Sequence, residues 1–204
     1  MPESESELDE AASLQRNTLW VLLAINAAMF IIEITAALAA DSTGLLADSL
    51  DMLADASVYA IALYAIGRSL RLQANAASAS GVFQIILGIG VILQVIRRYL
   101  YGSDPLSTMM IAVGALALAA NTACLILIAK HREGGIHMRA SLIFSQNDVM
   151  ANIGVIASGA LVAYLGSRIP DLLIGAAISI VVIRGGIQIL REAREARAGP
   201  HLGA

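Results

Sequence analysis

Gly44-Leu45-Leu46-Ala47-Asp48-Ser49-Leu50-Asp51-Met52-Leu53-Ala54-Asp55 sets three aspartates into an apolar run with no basic residue near them. Asp51 and Asp55 are four apart, which stacks them on one face of a helix, and Asp48 lies three before Asp51 on nearly the same stripe. The run continues without a break signal to Gly67, so the segment 45–67 is long enough to cross a bilayer, which takes ~20 residues. An ionised carboxylate at that depth costs at least ~2.5 kcal/mol. A single buried acid is readily explained by pairing inside a bundle. Three on one stripe call for a polar cavity, a proton or a cation, because adjacent carboxylates repel unless positive charge lies between them.

The rest of the chain supports that setting. Hydrophobic residues make up 58% and charged residues 14%, where a soluble domain carries roughly a quarter charged. Apolar stretches fall near 17–40, 45–67, 76–96, 107–130, 140–165 and 170–193. They are too long for barrel strands and lack two-residue alternation, and lipid forces each to satisfy its backbone internally. The predicted fold is all-α, a bundle of six transmembrane helices. The expected domain plan is an acidic, disordered tail over 1–15, a membrane domain over 16–197 and a short tail over 198–204. With the N-terminus in the cytoplasm, Arg16, Arg68, Arg71, Lys130, Arg132, Arg139, Arg191, Arg194 and Arg197 share its side, against Arg97, Arg98 and Arg168 on the other. Nine against three predicts that both termini are cytoplasmic. Cys124 stands alone in an apolar run and reads as a small core residue. No cleavable signal peptide is visible. Gly81, Gly88, Gly154, Ser158 and Gly185 read as sites of close helix packing.

Two further acids lie within spans, Glu33 in the first and Asp148 in the fifth. The fifth reads Phe144-Ser145-Gln146-Asn147-Asp148-Val149-Met150-Ala151-Asn152. Asp148 and Asn152 are again four apart, and Ser145 sits three before Asp148. This stripe could face the acids of the second segment and offer a third carboxylate and an amide oxygen. Asn152 also suits a plain interhelical hydrogen bond.

The stretch from Glu33 to Ala60, with Asp51-x-x-x-Asp55 at its centre, resembles the second-helix region of the cation diffusion facilitator family of zinc and related metal transporters. Ser145 to Asn152 resembles, in part, that family's fifth helix. The resemblance implies efflux of a divalent cation in exchange for protons, with Asp51, Asp55 and Asp148 as metal ligands, Asn152 and Ser145 as further candidates, and Glu33 and Asp48 as proton-handling or accessory acids. It implies zinc as cargo, with manganese, iron, cobalt or cadmium as alternatives, no resident cofactor, no enzymatic activity and no nucleic-acid partner. A homodimer and a multi-pass location in a bacterial inner (cytoplasmic) membrane follow from it as well. The sequence departs from the family pattern in two ways. Phe144 stands where the fifth helix usually carries histidine, so the donor set is harder and less selective for zinc. Neither the usual cytoplasmic C-terminal domain after the sixth span nor the histidine-rich loop is expected, His131 and His137 being the only histidines between the fourth and fifth spans.

Other readings use the same residues. A pseudo-transporter or membrane scaffold with a degenerate site fits Phe144 but leaves three costly aspartates unexplained. An intramembrane aspartyl protease needs two aspartates on different helices, for which Asp55 and Asp148 would serve, but the flanking signatures of that class are lacking. A channel would show poorly saturating uptake without a proton gradient.

Overall fold

A computed structural model describes the backbone over residues 5–65, 69–130 and 136–198, with side chains between 16 and 197 except at 65–68, 70 and 130–145. Among the described residues the chain forms six α-helices and no strand: α1 (Glu5–Ala39), α2 (Thr43–Ala65), α3 (Leu70–Tyr101), α4 (Ser107–Lys130), α5 (Ile136–Leu165) and α6 (Ile169–Ala198). Five of them contain a stretch long and apolar enough to cross a membrane. The exception is α2, which has the length, 23 residues, but carries Asp48, Asp51 and Asp55 within it. Apolar side chains such as Ile31, Leu38, Ile86, Leu93 and Leu173 are well exposed on the outer surfaces, as a bundle solvated by lipid tails requires.

Two helices depart from the expected segments: α1 begins at Glu5, so the acidic stretch expected to be disordered is helical from there, its Glu, Leu and Ala residues being good helix formers, and α3 overruns its segment at both ends. Its run of Ala and Ser from Ala74 to Ser80 is helical, and Ser69, with extended backbone, precedes its first turn. At the other end the helix continues through Arg97 and Arg98 and stops at Gly102, whose φ of 97° ends the helix with its N–H bonded to the Arg98 carbonyl. Two arginines in the expected break are therefore helical. The long side chain of Arg98 reaches Asp41 and Thr43 at the bundle's end, so no loop is needed to carry it there.

The helices pack most extensively as three pairs, α3 with α6, α1 with α2 and α4 with α5. Glycine sets the spacing of the first pair. A Cβ on Gly81 would lie 2.7 Å from the Gly186 carbonyl oxygen, and one on Gly88 would strike Ile183. Gly154 of α5 likewise makes room for Ile174 of α6. Ser158 is buried, and Gly185 borders a cavity. A central apolar core joins Ala37, Leu45, Ala47, Val91, Met110, Val155 and Ile178 from all six helices. Cys124 packs in a second cluster with Leu22, Tyr59 and Ile128.

Candidate metal centre

The helical spacing of the aspartates turns them inward as a stripe. Asp48, Asp51, Met52 and Asp55 of α2, Asn121 of α4 and Asp148 of α5 line one narrow gap in the bundle, too tight for a water molecule. Asp51, Asp55 and Asp148 also form part of the wall of a much larger cavity of about 890 Å³. That cavity extends towards the end of the bundle where α1 begins and α6 ends, reaching Thr18, Tyr59, Arg184 and Glu192. The acids form part of its inner wall, next to the narrow gap, and Ile174 lines the same wall.

The carboxyls fall into two groups. Those of Asp55 and Asp148 face one another across α2 and α5 within hydrogen-bonding range, and Asp51 is near enough to both to interact electrostatically. Deeper in the bundle, Glu33 of α1 is fully buried and faces Asp48, also buried. Among the described residues no nitrogen donor or hydroxyl reaches either oxygen of Glu33. Asp48 does have a donor. Asn152 Nδ2 donates to Asp48 Oδ2 at 2.6 Å, and Asn121 Nδ2 donates to Asn152 Oδ1 at 2.9 Å. All three are buried, so α4, α5 and α2 are tied by a polar chain that excludes solvent.

The candidate residues thus separate by position. Asp51, Asp55 and Asp148 share the gap and the cavity. Glu33 and Asp48 lie behind them. Asn152 is one helical turn from Asp148, with both ends of its amide engaged by protein partners. Among the described residues no three His, Cys, Asp or Glu side chains stand in an arrangement that closes around one ion. The side chains of Ser145 and Phe144, like those of His131 and His137, lie outside the described residues. Asn121 was not singled out by its sequence, although it is an uncharged polar residue in the middle of an otherwise apolar span, a pattern that marks interhelical hydrogen bonding.

At the opposite end the bundle is shut. The α1–α2 turn is tight: Asp41 has a φ of 49°, in the left-handed region that aspartate tolerates better than most residues. The first N–H groups of α2 lack intrahelical partners. Two of them find Asp171 of α6, which accepts from Thr43 N–H at 2.6 Å, from Gly44 N–H at 2.9 Å and from the Ser42 hydroxyl at 2.6 Å. Leu45 N–H donates to Ser42 Oγ at 3.1 Å. Arg98 of α3 donates to Thr43 Oγ1 at 2.9 Å and pairs with Asp41 at 2.8 Å. Asp104 N–H donates to the other Asp41 oxygen.

An acid-lined cavity that ends blindly inside a bundle of apolar helices narrows the classes of protein to compare. The family model for the cation efflux transmembrane domain matches residues 19–196. The chain belongs to the cation efflux family. This is the cation diffusion facilitator family that the second-helix motif resembles, and the chain is accordingly an integral, multi-pass membrane protein. Similar relatives include the zinc transporter ZitB of Yersinia pseudotuberculosis, 23% identical over 85% of this chain and 60% of its own length. ZitB of Escherichia coli is 23% identical over 82% of this chain and 58% of its own. The cadmium, cobalt and zinc/H(+)-K(+) antiporter of Bacillus velezensis is 23% identical over 79% and 56%. The chain thus spans about three fifths of the length of these cation efflux relatives.

Proposed function

We propose that this cation efflux protein exports a divalent metal cation from the cytoplasm in exchange for protons, by alternating access to Asp51, Asp55 and Asp148. The observation that carries the proposal is the shape of the interior. One cavity reaches three acids from two helices, and the bundle beyond them is closed. Six membrane spans with both termini cytoplasmic are part of the same proposal, supported by the nine-to-three distribution of basic residues. In that orientation the cavity would face the cytoplasm, as loading of a metal from that side requires.

The chemistry follows from the donors. Carboxylates bind a metal only when deprotonated, so metal and protons displace one another at the same oxygens, which is the minimum requirement for exchange. Asp51 and Asp55 keep a spacing set by one helical turn, while Asp148 arrives on a separate helix. Closure around an ion then comes from movement of α5 relative to α2, and water or Ser145 completes the coordination. Asn152 is the weaker candidate, since its amide already joins Asn121 to Asp48. Glu33 and Asp48, buried behind the site, are proposed as accessory acids that handle protons. Zinc is the proposed cargo, supported by relatives described as zinc transporters and by one whose description adds cadmium, cobalt and protons. A donor set made mainly of oxygen also admits manganese and iron. A homodimer belongs to the same proposal.

The alternative, a non-transporting member with a degenerate site, is favoured by the lack of a closed ligand cluster among the described residues. Reconstitution separates the two. Proteoliposomes containing the full chain are loaded with a pH-sensitive dye and challenged with zinc, manganese, cobalt and cadmium in turn. Metal-dependent proton movement that vanishes in Asp51→Ala supports transport. No flux with any metal from folded, correctly inserted protein overturns it.

A further inference from the structure

We infer that Asp171, with Arg98, forms the latch that holds the far end of the bundle shut while the cavity is open. This rests on the alternating-access reading above. The latch joins different parts of the fold. Asp171 and Arg98 belong to α6 and α3, which lie closely along each other through their glycines. The groups they grip, Asp41, Ser42, Thr43 and Gly44, form the α1–α2 turn and the first residues of α2. Asp171 is fully buried and accepts three hydrogen bonds, two from backbone donors. The contact is also sterically close. A Cβ on Gly175 would lie 2.8 to 3.0 Å from Thr43 Cγ2, oxygen and carbonyl carbon, and one on Gly44 would meet Ile174 at 2.9 Å and Asp171 at 3.1 Å.

The same two helices diverge at the other end. Asp51, Asp55 and Val58 of α2 and Ala177, Val181 and Gln188 of α6 stand on the wall of the open cavity. On α2 the stripe Gly44, Ala47, Asp51, Asp55 runs at helical spacing from the latch to the acids. Ala47, 1% exposed, is the step between them. Along the α2–α6 seam the way from the acids to the latch passes Ala47, and a path along that seam opens only if α2 and α6 part at Asp171. Because a buried carboxylate with three donors is held strongly, the latch favours the cavity-open state over its opposite.

Two substitutions loosen it by unrelated means. Asp171→Asn keeps the shape but removes the charge and sets amide hydrogens against the N–H groups of α2. Gly175→Ala keeps the charge and wedges a methyl group against the Thr43 backbone. Gly90→Ala, whose Cβ would meet open space, is the control. Each is placed in a Cys124→Ala chain carrying one reporter, Val181→Cys in the cavity wall or Ala47→Cys beneath the acids. Labelling by a water-soluble maleimide is followed in detergent, without metal. Monodispersity and thermal unfolding confirm that the proteins are folded. In the parent, Val181→Cys labels fast and Ala47→Cys slowly. Loss of hydrogen bonds to a charged group shifts the equilibrium about tenfold or more. Both loosened variants should therefore slow labelling at Val181→Cys and speed it at Ala47→Cys, with Gly90→Ala unchanged. Parent-like rates in both variants, or faster labelling at both reporters together, overturn the latch. Fast labelling of Ala47→Cys and none of Val181→Cys in the parent would instead overturn the cavity-open reading.

Discussion

Asn152→Asp separates two roles that the wild-type residue leaves entangled. If the side chain serves the metal, a carboxylate in its place adds a harder, charged donor and tightens binding. If it serves Asp48, the same change sets an acid against an acid at a contact that measures 2.6 Å in the wild type. The second outcome is expected, and its size can be worked out. The lost hydrogen bond to a charged partner costs about 1.5–3 kcal/mol. Two charges ~4 Å apart add about 4 kcal/mol of repulsion at an effective dielectric of ~20. Proton uptake by the pair and small side-chain movements relieve part of this, so a net loss of about 3–5 kcal/mol near neutral pH is expected. The loss should shrink as pH falls, because protons neutralise the repelling pair. Asn152→Ala, which removes the bond without adding charge, should lose about 1–3 kcal/mol, with a weaker pH dependence than Asn152→Asp because no repulsion is added. Thermal unfolding in detergent at pH 7.5 and 5.5 gives the comparison, and calorimetric titration with zinc and manganese gives the affinities. An Asn152→Asp protein as stable as its parent and binding manganese more tightly would refute the assignment to Asp48 and make Asn152 a ligand.

Asp51→Ala, Asp55→Ala and Asp148→Ala should each abolish metal transport in proteoliposomes while leaving a folded protein. Parent-like transport by both α2 variants would end the central-site model. Phe144→His should raise zinc affinity relative to manganese in calorimetric titrations, since it restores an imidazole four residues before Asp148. Unchanged relative affinities would show that position 144 does not face the site. Metal binding should weaken steeply as pH falls from about 7 to about 5, because protons compete for the carboxylate oxygens that hold the ion. Calorimetry in buffers of different ionisation enthalpy counts the protons released, and a count of zero near neutral pH would move proton coupling away from these acids.

Much of the candidate site could be read from spacing alone. Asp48, Asp51 and Asp55 are separated by helical intervals in an apolar run, so their common stripe follows from helix geometry. Asp148 was legible because an acid at membrane depth needs a reason. What the sequence could not supply was pairing across helices. Asp171 looks like an ordinary acid at a helix start until the fold brings it to Thr43, 128 positions away. Asn121 and Asn152 are 31 positions apart and carry no mark of their partnership. Arg98 counted only as a loop charge, because the helix end was expected before it and its partners Asp41 and Thr43 are contributed by another turn. Long-range hydrogen bonds depend on how helices are rotated against each other, and an apolar stripe broad enough for lipid and core alike leaves that rotation open.

The bond between Asn152 and Asp48 also acts as a fulcrum. It fixes α5 to α2 at one point, and Asp148 lies four residues along the same helix, a lever arm of ~6 Å. A tilt of α5 by roughly 10° about that point displaces Asp148 by ~1 Å relative to Asp51 and Asp55. Carboxylate–metal bonds differ between small and large divalent ions by only a few tenths of an ångström, from ~2.0 to ~2.6 Å. If the three acids hold the ion as proposed, a few degrees of helix motion spans that whole range of radii, and the tightness of the fulcrum, together with the donor set, would set how finely one ion is told from the next.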